Sequence, residues 1–584
     1  MRLRPLLMGL LSSTLMIACQ ISSLPRQRET PSPLPSSSPA SPEMWGFASP
    51  SVTGTVNATP SLTWLPANPN ALNSLPDFKV YLHPDSPLYV GDQISVEVIA
   101  PPTIDVNHQA ITLSVDTPPR FLASTTFQPY GYESRQQATF YWVWNTSDAS
   151  ASEHTLTFSI PSRGWNWSES IALLPKEDLP LSEREAQWRT VETNCCLIYY
   201  ISGSAADRDL QYLENLAEDE VASLKTQLPL QPKNPLGIAF IPRVVGQGGF
   251  TIQNAMISYL DRNYTAAEVP IILHHELVHV FDGLSGGDFK PTIFMEGLAV
   301  YLSGGHYQPE PLLSRAAGLI PMGRYIGLSD LANNFYLEQH EIGYLEAGAL
   351  VEYMVQRWGW QPFLDFYRDI HHEKDDPQSQ SIERALQAHF GISLMELENG
   401  FKAKLEEIPV NPTEIEALRA LFDLYDTIRA YQQALDPAAF YENGWMVDVK
   451  ELIQRDIVAD YWRHPSGLTN ITLETMLANA GKARQDGDTA YQMELTKAVQ
   501  SVLEKIKAGE TQPFAANPLA KTYWEIVNQL SQAGFEVQQI KLEDEEATVF
   551  VTKQSNFLIE VQLKLTPHGW EIQSINNNVA IMQP

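Results

Sequence analysis

Pro270-Ile271-Ile272-Leu273-His274-His275-Glu276-Leu277-Val278-His279-Val280-Phe281-Asp282-Gly283 is the stretch on which the fold turns. Its apolar residues surround the polar ones, as in a helix buried deep in a domain, and Gly283 supplies a stop. On such a helix His275 and His279 are four positions apart and project from one face. Two imidazoles at that spacing can reach one Zn2+ at ~2.0–2.1 Å each. Glu276 lies ~100° round from His275. It can border the site without ligating, where a carboxylate takes a proton from water activated by the metal. The bland alternative is a core helix whose two histidines are satisfied by backbone carbonyls.

A second segment tips that balance. Met295-Glu296-Gly297-Leu298-Ala299-Val300-Tyr301 follows a turn-rich stretch, residues 283–291, and reads as another helix. Glu296 lies 17 residues beyond His279 (296 − 279), enough for one helix to end and the chain to reverse. A lone glutamate on an apolar face is costly to bury unless something positive compensates it. Two histidines and a glutamate leave the fourth position of a tetrahedral zinc open, which is the catalytic arrangement rather than the structural one. His274 and His306 read as supporting or surface groups, not ligands.

His-Glu-x-x-His followed by Glu-Gly-Leu-Ala resembles the gluzincin metallopeptidases, in particular their peptidase MA-like domains, over about residues 185–405. The resemblance implies a zincin-type α+β domain that hydrolyses peptide bonds in a peptide or protein substrate. It makes His275, His279 and Glu296 the ligands of Zn2+ and Glu276 the general base. Tyr344-Leu345-Glu346-Ala347-Gly348-Ala349-Leu350 is similar to the tyrosine-bearing helix of zinc aminopeptidases, which implies that Tyr344 stabilises the oxyanion. Two departures matter. The family often places an aspartate four residues after the third ligand, where this chain has Val300; Asp282 could orient a histidine instead, or be a solvated helix end. A Gly-x-Met-Glu-Asn segment for a substrate amino terminus is missing, and residues 249–255 (Gly-Phe-Thr-Ile-Gln-Asn-Ala) occupy its place, which favours an endopeptidase or an unusual specificity.

Outward from this centre the chain divides. At 584 residues it is too long for one ordinary domain. From 76 to 180 apolar residues alternate: Ile94, Val96 and Val98 with Ser95 and Glu97 between them, then Leu156, Phe158 and Ile160. Short strands with no helical stretch predict an N-terminal β-sandwich, immunoglobulin-like. From 185 to 410 strands precede helices, an α+β order with the chemistry at the change-over. Residues 411–584 predict helices over 414–434, 473–508 and 520–533, then four strands, a helical plus α+β region that resembles the nuclear-transport-factor-like (NTF2-like) fold.

The N-terminus carries an address. Arg2 and Arg4 precede an apolar run over 6–18, too short to span a bilayer as a stable helix. It ends Leu15-Met16-Ile17-Ala18-Cys19, which resembles the lipobox of bacterial lipoproteins, with Met16 where leucine is commoner. That implies a signal peptide over 1–19, lipidation of Cys19, a membrane anchor, and a place in the cell envelope on the outer side of the cytoplasmic membrane. An ordinary secretory signal is the alternative. Residues 20–75, rich in proline and serine, read as a tether. The formal net charge of −30 argues against nucleic acid as a partner. Of the three cysteines, the adjacent Cys195 and Cys196 are expected to fill space beside a strand rather than to bridge. Two rival functions stay open: a surface binding or assembly module that keeps zinc for structure, and an amide or ester hydrolase acting on cell-wall material.

Overall fold

The computed structural model describes residues 76–576, apart from 86, 131–134, 229, 231, 233–234, 245–247, 338–339, 375, 442–446 and 554–556. The expected leader, tether and lipidation at Cys19 fall on residues 1–75, outside the described residues. The chain is multidomain, with a β-rich N-terminal region and a helical region toward the C-terminus. Among the described residues no helix is long and apolar enough to cross a membrane.

The N-terminal region pairs a four-stranded with a five-stranded sheet around one core. Ile94, Val96, Val98, Leu156, Phe158 and Ile160 all point into it, as period two requires. Ser95 and Glu97, their polar neighbours, are nonetheless fully buried. Glu97 accepts from Gln137 (2.6 Å) and faces His83 (3.2 Å), so its partners offset the cost of burial. The outer face of this sheet is therefore covered. Trp142 packs into an apolar cluster with Val449, Leu452 and Tyr461, and its indole donates to Asp460 (3.1 Å).

Asp460 is buried at this junction, and burial pushes its carboxyl up from 3.8 to about 6, against the pull of His83 and of the Trp142 hydrogen bond. The folded chain then holds an extra proton between those values, so this group's contribution to stability falls as pH rises from about 4 to 6. An asparagine at this position would keep an acceptor for Trp142 without the charge. Asp460→Asn is expected to stabilise the protein above about pH 6 by up to about 3 kcal/mol, with little gain near pH 4. Urea unfolding at the two pH values checks this; an equal gain at both would count against it.

The central sheet has the order Trp188–Glu192, Cys196–Ile201, Leu236–Ile241, Ala255–Ser258, Gly249–Thr251, with the three inner strands parallel. Parallel strands are buried on both faces, and the residues sort accordingly. Ile198, Ile238, Phe240 and Ile257 face the main core, while Tyr199, Ile201, Ala239, Ile241 and Met256 face residues 447–461 on the other side. The main core runs without a break from Cys196 to Trp570 and takes in the C-terminal four-stranded sheet.

Adjacent cysteines bridge here, contrary to expectation. Cys196 does fill space at the strand start, fully buried, but it is disulfide-bonded to Cys195. Thr193 Oγ1 accepts from both backbone N–H groups (3.3 and 3.2 Å), closing the turn that brings the two side chains together.

Buried arginines join the regions. Arg463 grips Asp92 with two N–H groups (2.7 and 2.8 Å) and also Glu183 (2.6 Å). Arg243 bridges Asp85 (2.6 Å) and Asp436, and Arg262 bridges Glu474 (2.6 Å) and the Val537 carbonyl (2.8 Å).

Candidate metal centre

Helix Val269–Gly283 carries the histidines. It begins with Pro270 at its first turn, where a missing N–H costs nothing. It packs between the central sheet, the helix Leu210–Gln227 and the helix Thr292–Ser303. The last of these carries Glu296 and lies tightly against the helix His340–Trp358. Two glycines permit that approach: a Cβ on Gly297 would sit 2.6 Å from the Ala347 carbonyl, and one on Gly348 would sit 2.5 Å from Val300 Cγ1. Val300, at the position where the family often has aspartate, is thus a packing residue filling the notch at Gly348.

Two of these helices bring together His275, His279 and Glu296, each nearly or largely buried. The two Nε2 atoms are 3.1 Å apart, and each is 3.3 Å from Glu296 Oε2. One tetrahedral ion at ~2.0–2.1 Å from three donors would hold them about 3.3 Å from one another. Three acceptor-type atoms converging at that spacing fit a shared cation, and the triad could bind a divalent metal ion.

Charges within the triad agree. Burial holds His275 down at about 3. Burial also pushes His279 down, but the adjacent Glu296 outweighs it and raises His279 to about 9. Glu296 stays well below the ordinary carboxylate range, because His279 and His275 oppose the effect of burial.

Glu276 is buried beside the triad, and burial lifts its carboxyl to about 7, against the pull of His279 and the Thr251 hydrogen bond. The edge strand Gly249–Thr251 seats it. Thr251 Oγ1 lies 2.9 Å from Glu276 Oε2 and 3.0 Å from the Glu276 carbonyl. A Cβ on Gly249 would come within 2.9 Å of Glu276 Cγ, so glycine is what lets the side chain lie against the strand.

Tyr344 is buried, its ring 6.0 Å from that of His275 and stacked on His306 at 3.9 Å. His306 is also buried, 3.2 Å from Glu341 Oε1, with its ring 5.5 Å from that of His275. His274 points away, to Glu220 (2.6 Å) and Gln227 (3.1 Å) on the neighbouring helix, as its ~100° offset requires. Asp282 is not a solvated helix end: it is buried, and it accepts from Tyr367 (2.7 Å) and Ser285 (3.0 Å) and pairs with Lys290 (3.1 Å).

Sequence reasoning singled out residues 249–255 by resemblance without seeing that Gly249 and Thr251 seat Glu276, and it missed Tyr336, whose hydroxyl is 2.7 Å from Glu296 Oε1. No spacing rule points to them, since they come from a three-residue strand and a single 3-10 turn, Phe335–Leu337. No family model matches the chain, and no curated protein is significantly similar to it.

Proposed function

We propose that this chain is a zinc-dependent peptidase of gluzincin type, with His275, His279 and Glu296 as ligands and Glu276 as general base. What supports it most is one observation: the triad closes to 3.1–3.3 Å beside a buried glutamate that ligates nothing and is held by Thr251. A site kept only for structure has no use for that glutamate. Zinc is the ion chosen because two imidazoles and one carboxylate with a position left open are its catalytic donor set.

When bound, the ion would supply Lewis acidity, activating water and polarising the scissile carbonyl. Glu276 takes a proton from the attacking water and delivers it to the leaving amine nitrogen. Tyr344, by the resemblance, donates a hydrogen bond where negative charge develops on the carbonyl oxygen.

The same proposal extends to the setting: a lipoprotein anchored through Cys19, a tether over 20–75, an immunoglobulin-like sandwich over 76–180, the peptidase domain over 185–410, and an NTF2-like C-terminal part within 411–584. Digestion of a mixed-peptide library by the zinc-loaded full chain tests the activity. The expected result is internal or terminal cleavage that stops with a chelator and returns with zinc. Cleavage indifferent to the chelator would overturn the zinc-dependent mechanism, and none at all would leave the binding-module and cell-wall-hydrolase readings.

A further inference from the structure

We propose that Tyr336 is a positioning residue that restricts Glu296 to ligation through a single oxygen, an inference that rests on the metal-centre part of the reading above. The geometry divides the labour of the carboxylate. Glu296 Oε2 faces both imidazoles at 3.3 Å, while Oε1 receives the Tyr336 hydroxyl at 2.7 Å. An ionised carboxylate only accepts, and a phenol has one proton to donate, so the direction of this hydrogen bond is settled.

With Oε1 engaged, Oε2 alone is free to meet an ion. The chain then offers three donor atoms rather than four, and the remaining positions stay available to water and a substrate oxygen. A carboxylate without such a restraint can swing so that both oxygens bind, which fills a position the chemistry needs. A partner on the outer oxygen also fixes the orientation of the inner one.

Tyr336 is itself held in place. It sits on the 3-10 turn Phe335–Leu337 that precedes the helix bearing Tyr344. Phe335 packs edge-on against both Tyr336 (ring centroids 5.4 Å) and Tyr344 (5.0 Å). The turn thus carries a restraint for the ligand and a support for the candidate oxyanion donor together. Tyr336 touches the ligand, not the substrate, so its effect passes through Glu296.

The test measures zinc affinity of the full chain by chelator competition, independently of turnover. Tyr336→Phe is expected to weaken binding about 10–100-fold, with one ion still bound at saturation. In the Co2+-loaded variant the visible bands should weaken as Glu296 chelates through both oxygens and the coordination number rises. In a Glu296→Gln background, adding Tyr336→Phe should cost less than about twofold, because residues that act through one another are not additive. Unchanged affinity in Tyr336→Phe would overturn the proposal. So would an equal loss in both backgrounds, which marks a merely structural residue. A wild-type chain that holds zinc tightly yet cuts no peptide would sink the peptidase reading and leave this one standing; a chain that binds no zinc would sink both.

Discussion

Glu276→Gln is expected to keep one metal ion per chain and to lower kcat on any cleaved peptide by about 10²–10⁴. Glutamine preserves the length and shape of the side chain. It can still accept from Thr251, which now lies 2.9 Å from Oε2, and it fits against Gly249 as before. It cannot take a proton from water. The proposed ligands His275 and His279 are left untouched by the change, so metal content measured by atomic absorption should match the wild type. Appreciable turnover in this variant would remove Glu276 from the mechanism, whereas loss of metal would mean that Glu276 helps shape the ligand set.

Arg463→Ala should be among the most destabilising single changes. The guanidinium is buried against the Asp92 and Glu183 carboxylates, donates an N–H to the Pro87 carbonyl at 3.0 Å, and lies over the Tyr89 ring at 4.9 Å. Deleting it leaves two carboxylates buried without their cation, a loss of about 3–5 kcal/mol for pairs of this kind. Arg463→Lys should recover only part, because an ammonium cannot reproduce the fork that meets both oxygens of Asp92. Urea unfolding followed by tryptophan fluorescence reads this directly; a shift under about 1 kcal/mol, ordinary for a surface change, would show that the β-rich region is held by its apolar contacts instead.

Legibility followed the physics of each element. His275, Glu276 and His279 could be placed from spacing because a helix converts residue number into angle. Glu296 was readable because an acid inside an apolar helix needs a positive partner. The two halves of 473–508 were not separated, although Gly487 at φ +77° and Asp488, whose side chain caps the next helix, mark the break. Alternation located the strands of the N-terminal region but not the burial of Ser95 and Glu97, since what covers a sheet's second face lies hundreds of residues away. Tyr336 and Thr251 share that difficulty. Their neighbours in sequence carry no periodic pattern, and only the packing of helices and an edge strand brings them to the site.

The rear of the central sheet has a consequence for how the chain matures. Tyr199, Ala239 and Met256 wait for Val449, Leu452 and Tyr461, which come far later in synthesis. Until those residues emerge, an apolar surface stands open on the side of the sheet away from the helix Val269–Gly283. Contacts that distant form slowly, and exposed apolar surface of this sort invites aggregation. The nascent chain therefore has a window in which a chaperone or a protease would meet it half-assembled, and a frameshift or nonsense lesion between residues 258 and 447 would yield a product that never closes that window.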